Sequence, residues 1–306
     1  MVTEEESKGL EADADRSNAD AVPEQNEGVA GKKNVKIIAA AVVAVSLVVV
    51  AVCCWYFFYE KPHSEAVSGF NSAAEVVAGK NEELGAAMEA VQSVIDSGKK
   101  PLDGAVLTAA ESSVTVSRAS LREIPERPSD TEALLAAAEE LSKPLDYSQE
   151  LTGLKDCKTA LENGIKQLEQ VTNPSEAFVV ERIKEIPTIT GVSAVTEDHD
   201  PNGKLNKQGG YTATVYFSSS LVDQAKAIGD TIIDKGVDGG GGLEVYATVD
   251  DASARDKYLG AFDGSLFDSG SHHVIGTVIV RTSTELTATQ QNELEKQIMD
   301  SLIALL

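Results

Sequence analysis

Cysteine is scarce: there are three among 306 residues, and two of them, Cys53 and Cys54, lie inside an uncharged run. Cys157 is therefore the one thiol left for the rest of the chain. No intramolecular disulfide can staple the soluble part, which must rest on a buried core. On a helix, such a cysteine reads as a small apolar side chain. Positive charge is also short, with 26 basic residues against 49 acidic ones and a formal charge of −23. That balance argues against nucleic acid or an anionic lipid surface as a partner, because phosphates would be repelled. Familiar catalytic motifs are missing too. Ser269-Gly270-Ser271-His272 lacks the G-x-S-x-G elbow. The glycine run Gly239 to Gly242 leads into a strand pattern and follows Asp238, which suits a flexible connection or a close backbone approach rather than a phosphate cradle.

What the chain does have is one long apolar stretch. Ile37 to Tyr59 carries no charge over 23 residues. As a helix it would be ~34 Å long at ~1.5 Å per residue, enough for a hydrocarbon core of ~30 Å. Only a helix satisfies its own backbone there, and Ser46 can bond back one turn. Lys32, Lys33 and Lys36 precede the run, and Trp55 to Tyr59 form an aromatic exit. Basic residues mark the cytoplasmic side, so the expectation is a single-pass membrane protein with its N-terminus inside and its bulk extracellular. The long acidic start and the aromatic exit do not suit a cleaved signal peptide. Val50-Ala51-Val52-Cys53 approaches a lipobox, but Val52 stands where a small residue belongs.

The run divides the chain. Residues 1–36 are acidic and lack aromatics, which predicts a disordered cytoplasmic tail. Residues 37–59 are the transmembrane helix, with the lipid bilayer as partner. Over 60–172 no strand signal occurs. Phe70, Ala74, Val77, Asn81, Leu84, Met88, Val91 and Ile95 repeat every 3.5 residues, a coiled-coil seam. A second seam, Leu107 to Ile124, closes at Pro125 and Pro128. Ser129 with Glu132 suggests a capping box for a third helix, which Pro144 interrupts. A last helix runs to about Thr172. The region reads as an extracellular antiparallel helical bundle or stalk, with Asn81 fixing register and homo-oligomerisation through the seam left open.

At Asn173-Pro174 the pattern changes. After a short helix, period-2 segments at 191–197, 210–218, 243–249 and 273–282 predict four strands. Helices over 250–262, with Ala254, Tyr258 and Leu259 inward, and over 287–305, with Leu294, Ile298 and Leu302 inward, interleave or follow them. Residues 173–306 are therefore expected to form an extracellular α+β domain, a mostly antiparallel sheet with helices on one face. Residues 219–242 hold the weakest pattern, with a short helix placed around 223–233.

Asp198-His199-Asp200-Pro201-Asn202-Gly203 matches D-x-D-x-N-G, in which Asp198, Asp200 and Asn202 would point oxygens at one hard cation. The twelfth position, a bidentate Glu in an EF-hand, is Gly209 here. Two readings stand: a weak Ca2+ loop, or a polar hairpin turn without metal. His199, His272 and His273 could meet at a zinc ion only if the loop and the strand end converge.

The runs Thr196 to Gly203, Gln208 to Ala213, Asp234 to Gly236, Glu244 to Thr248, Phe262 to Gly264, Ser269 to His272 and Gly276 to Ser283 together resemble a group of uncharacterised membrane-anchored proteins of Gram-positive bacteria, over roughly 174–306. The resemblance implies a bacterial cell-surface setting and carries no catalytic residue or cofactor. The expected function is a membrane-anchored extracellular binding or interaction protein whose ligand is an unknown extracellular protein or cell-wall component. Two rivals are a surface enzyme with a site near loops 197–210, 236–242 and 268–273, and a structural spacer.

Overall fold

The computed structural model describes residues 31–265 and 270–305. Of the tail expected to be disordered, residues 1–30 lie outside the described part, and residues 31–36 are instead the first turns of a helix, because their backbone continues the helical bonding of the apolar run. Helix α1, Gly31–Trp55, starts ahead of the apolar run. From Ile38 to Tyr59 every side chain is exposed, including Val42, Leu47 and Val50. It is a helix long and apolar enough to cross a membrane, and none of its most apolar stretch is buried among the described residues. Ser46 Oγ donates to the Val42 carbonyl at 2.8 Å, as expected. A π-helical turn, Tyr56–Glu60, follows. Its physical reason is Pro62, which has no N–H to offer Phe58 four residues back. Helix α2 then runs Lys61–Asp96.

The chain divides into two compact units, one ending at Ser68 and one beginning at Gly69. In the second unit, α2 is joined by α3 (Gly104–Ser120), α4 (Thr131–Leu141) and α5 (Ser148–Gln170). The seam of α2 is as spaced in the sequence: Leu84, Met88 and Val91 are buried with Ala110 and Val114 of α3 and Leu154, Leu161 and Ile165 of α5. These seam positions are covered from within the chain. Cys157 packs against the same cluster. Two details depart from expectation. Helix α3 stops at Ser120, because Leu121 takes an extended conformation. The cap of α4 is Asp130, whose carboxylate accepts from Ala133 N, rather than Ser129.

Asn81, the polar residue in the seam, is a hub. Its Nδ2 donates to the Arg122 carbonyl at 2.8 Å, and its Oδ1 accepts from Tyr147 Oη at 2.8 Å. Tyr147 Oη in turn accepts from Arg122 N at 2.7 Å, and Arg122 Nη1 reaches the Lys143 carbonyl. Both stretches around Pro125 and Pro144, where helical bonding fails, are thereby tied to α2.

The α+β part is built on α6 (Glu176–Ile183), α7 (Ile232–Lys235), α8 (Val249–Gly260) and α9 (Ala288–Ile303), with strands β1 (Ile189–Ala194), β2 (Ala213–Ser219), β3 (Gly240–Val245), β4 (His272–Ile275) and β5 (Val278–Thr282). Helix α6 is capped by Ser175, whose Oγ accepts from Phe178 N. The strands form one antiparallel sheet in the order β1-β2-β3-β5-β4. It has five strands where four were expected. The segment 273–282 is a hairpin: Ile275 pairs with Val278, and Gly276, at φ 60°, makes the turn with Thr277. A positive φ at the first turn position suits glycine.

Helices cover both faces of the sheet, not one. On the first face, Val215, Phe217, Leu243, Val245, Val278 and Val280 pack with Val179 and Ile183 of α6 and Leu294, Ile298 and Leu302 of α9. On the second, Tyr216, Tyr246 and Ile279 pack with Ile233 of α7 and Ala252 and Leu259 of α8. Tyr258 of α8, expected inward, is 57% exposed.

The glycine run belongs to the sheet, since β3 begins at Gly240. A Cβ on Gly241 would come within 2.3 Å of Phe217 Cζ, and one on Gly242 within 2.8 Å of Tyr216 Cδ1. Absent side chains on β3 make room for two aromatic rings from β2, one on each face. Residues 220–231 are turns and bends, where a short helix was placed around 223–233; the helix is the single turn α7, followed by a 3-10 turn at Gly236–Gly239.

Where the pattern changes at 172/173, the end of α5 is packed against the sheet. Val171 lies in the core of the sheet's first face. Its carbonyl accepts from Thr277 N at 2.9 Å, and Gln170 Nε2 donates to the Leu302 carbonyl at 3.1 Å.

Candidate functional site

At the end of the sheet where β2 begins and β3 finishes, the long β1–β2 connection lies opposite α8. Between them is a cavity of about 450 Å3, within the ~300–1,000 Å3 usual for small-molecule sites. The connection contributes Asn202, Lys204, Gly209, Gly210 and Tyr211, the end of β3 contributes Tyr246, and α8 contributes Asp251, Ala254, Arg255 and Tyr258.

Each wall has a local cause. Asp200 folds the connection on itself: its Oδ2 accepts from Lys204 N at 2.6 Å and Leu205 N at 2.8 Å, and its Oδ1 from Asn202 N at 3.0 Å and Tyr211 Oη at 2.5 Å. This is the behaviour of a turn-forming Asp. Burial would raise this carboxyl, but the bonds from Tyr211 and the three backbone amides hold it below the ordinary range. Gly203, at φ 60°, makes the turn the motif requires. Asn202 Nδ2 donates to Tyr216 Oη at 3.1 Å. Helix α8 starts at Thr248, which accepts from Asp251 N at 3.1 Å and donates to Asp251 Oδ2 at 2.6 Å.

Beneath the cavity is a charge cluster on the sheet's second face. Glu244 of β3 has a side chain 2% exposed. It accepts from Arg255 Nε at 2.8 Å and Nη2 at 2.9 Å, from Arg281 Nη1 at 2.9 Å, and from Tyr246 Oη at 2.7 Å. Burial pushes the Glu244 carboxyl up, but the bonds and charge of Arg255 and the charge of Arg281 outweigh it and hold the group below its ordinary value. Tyr246 and Tyr211 are raised, first by burial and then by Glu244 and Asp200 respectively. The cluster leaves one unit of positive charge over. Arg255 reaches from it into the cavity, with its guanidinium 5.4 Å from the centre of the Tyr258 ring.

Of the residues marked as calcium ligands, Asp200 is turned inward onto four donors and Asn202 onto Tyr216, while Asp198 is exposed in the turn. Among the described residues, no group of three or more His, Cys, Asp or Glu side chains is arranged to hold a metal ion. The three histidines part company. His199 Nε2 lies 2.9 Å from Asp234 Oδ1. His272 lies 2.8 Å from Asp256 and 3.3 Å from Asp263, and His273 is 2.7 Å from the buried Glu295 on α9. As neighbours in a strand, His272 and His273 serve opposite faces.

A second hollow of about 420 Å3 is lined by Asp263, Gly270, Ser271, His272, Thr284, Leu286 and Gln291. Among the described residues, two of the three loops named for a surface enzyme are divided between these two hollows. The first borders the cavity at α8, the described part of the third borders the second hollow, and 236–242 lines neither.

Sequence reasoning singled out the loop 197–210, of which Asn202, Lys204, Gly209 and Gly210 line the cavity, but missed Glu244, Arg255 and Arg281. The available signal was a lone glutamate inside a strand pattern, which asks for a cationic partner if its face is covered. Compared with family models, curated proteins and solved structures, the chain matches none.

Proposed function

We propose that this chain is a membrane-anchored binding protein, held by residues 37–59 in a bacterial cell membrane with its C-terminal bulk outside, and that its ligand enters the cleft between the 202–211 connection and α8. The anchor is supported by an apolar helix with every side chain from 38 to 59 exposed, because such a surface in water would be an association site. The lysines before it and the aromatics after it support the orientation. The observation that carries the binding reading is Arg255. Its Nε and Nη2 are fixed by a buried carboxylate, and its side chain lines a preformed cavity. Preorganised donors lower the ordering cost of binding.

Two experiments test it. Protease added to intact cells should digest the C-terminal region and spare the N-terminal tail, and the reverse pattern overturns the orientation. A fragment screen on the full chain in nanodiscs, read by NMR, should place its hits among Lys204, Arg255 and Tyr258, and hits that avoid this cleft overturn the site.

A surface enzyme is the second reading, favoured by His272 held between Asp256 and Asp263 at the mouth of the second hollow. It requires that any hydrolytic activity found disappear in His272→Ala and survive in Lys204→Met.

A further inference from the structure

We propose that the cleft selects a small ligand carrying a singly charged carboxylate, seated between the Nη1 edge of Arg255 and Lys204 and beside the ring of Tyr258. This rests on the reading of the cleft as a binding site and adds the chemistry of what it binds.

The argument starts from the donors that are already used. Glu244 takes Nε and one Nη2 hydrogen of Arg255, and Nη1 makes no hydrogen bond to a described residue. A guanidinium is planar and has five N–H donors in a fixed fork. Two of them anchored to a buried carboxylate fix the plane of the other three. Lys204, across the cavity, spends its backbone N–H on Asp200, while its exposed ammonium has no hydrogen bond or ion pair within the described chain.

Charge decides the valence of the ligand. Glu244 takes up one of the two guanidinium charges of Arg255 and Arg281, and Asp251 faces Lys204 across the lining, so the cavity and the cluster beneath it together keep an excess of one positive charge. A ligand with one negative charge is balanced there. A dianion such as a phosphate monoester would enter with one charge unmatched, against the field of a protein of net charge −23. Neutral ligands would leave the Arg255 edge with no charged acceptor, and hydrogen bonds to charged groups are the stronger class. Tyr258, 57% exposed beside this edge, offers a ring face to the body of the ligand.

The test uses the full chain in nanodiscs with its seven tyrosines replaced by 3-fluorotyrosine, the Tyr258 signal being assigned from Tyr258→Phe. The probes are benzoate, the neutral isostere benzamide, and phenyl phosphate at a pH where it is a dianion. Benzoate is expected to shift the Tyr258 signal saturably and to bind at least ten times more tightly than benzamide and several times more tightly than phenyl phosphate. Lys204→Met should weaken benzoate about fivefold without changing the melting temperature, and Asp251→Asn should tighten it. If benzamide binds as well as benzoate, or if phenyl phosphate binds more tightly, the carboxylate preference is wrong while the cleft remains a binding site. If none of the three moves the Tyr258 signal, the cleft reading falls with it.

Discussion

Arg255 of α8 grips Glu244 of β3 with two parallel hydrogen bonds of 2.8 and 2.9 Å, adding an ion pair to the apolar packing of α8 on the sheet's second face. Removing the carboxylate leaves two guanidiniums under α8 without their acceptor. Glu244→Ala should cost ~3–5 kcal/mol, the usual penalty for breaking a buried pair from one side, seen as a lower denaturation midpoint. The pair also predicts a pH dependence. The native carboxyl titrates below its unfolded counterpart, whose pKa is ~4.3, so between these values the unfolded chain binds more protons and stability rises with pH. The contribution of Glu244 is thus complete above about pH 4.3 and is lost as pH falls through the native value. Denaturation measured from pH 7 to 3 should show the gap between wild type and Glu244→Ala narrowing below about pH 4.

The empty side of β3 makes a second prediction. A methyl group at Gly241 would sit 2.3 Å from both Phe217 Cζ and the Arg281 carbonyl, and the carbonyl cannot move without breaking the β3–β5 ladder. Gly241→Ala should destabilise by ~1–3 kcal/mol, as overpacking does. The Phe217→Leu penalty should be smaller in that background than in wild type, a coupling read by a double-mutant cycle. Equal penalties would mean that the ring is not what the glycine accommodates.

Asn81 predicts a polar cost in an apolar seam. Leucine there would suit the helix pattern, yet it would leave Tyr147 Oη and the Arg122 carbonyl without their partner. Asn81→Leu should therefore lower stability by ~1–3 kcal/mol and loosen 121–128, visible as faster amide exchange at Arg122. A stabilised variant would show that the tie to the two proline stretches contributes little.

Asp200 predicts how the metal-like loop behaves. A calcium ion would have to displace four hydrogen-bond donors from this carboxylate. Millimolar Ca2+ is expected to leave the melting temperature unchanged, whereas Asp200→Ala should speed amide exchange at Asn202, Lys204 and Leu205. A calcium-dependent rise in melting temperature that is absent from Asp200→Ala would instead establish the loop as a metal site.

Much of the architecture could be read in advance because its cause is local. The spacing of Phe70 to Val91, the stripe Leu294, Ile298 and Leu302, and the uncharged run before Tyr59 each reflect one helix and its environment. The hairpin turn at Gly276-Thr277 was missed because apolar and β-branched residues continue on both sides, and only the sign of a dihedral angle reveals the break. Gly240 to Gly242 looked like a connection because a strand is normally known by its side chains, and these positions serve β2 by lacking them. The charge cluster was hidden by distance along the chain: Arg255 and Arg281 lie 11 and 37 residues from Glu244, and a highly charged sequence offers many such pairs. What brings them together is the register of β3 with β5 and the docking of α8, both tertiary facts.

The carbonyl of Val171 holds the tip of the β4–β5 hairpin, and Gln170, one residue earlier, holds the end of α9. Two adjacent residues at the close of α5 therefore act as a clasp for elements from the far end of the polypeptide. A calorimeter should register a single endotherm for everything beyond Gly69.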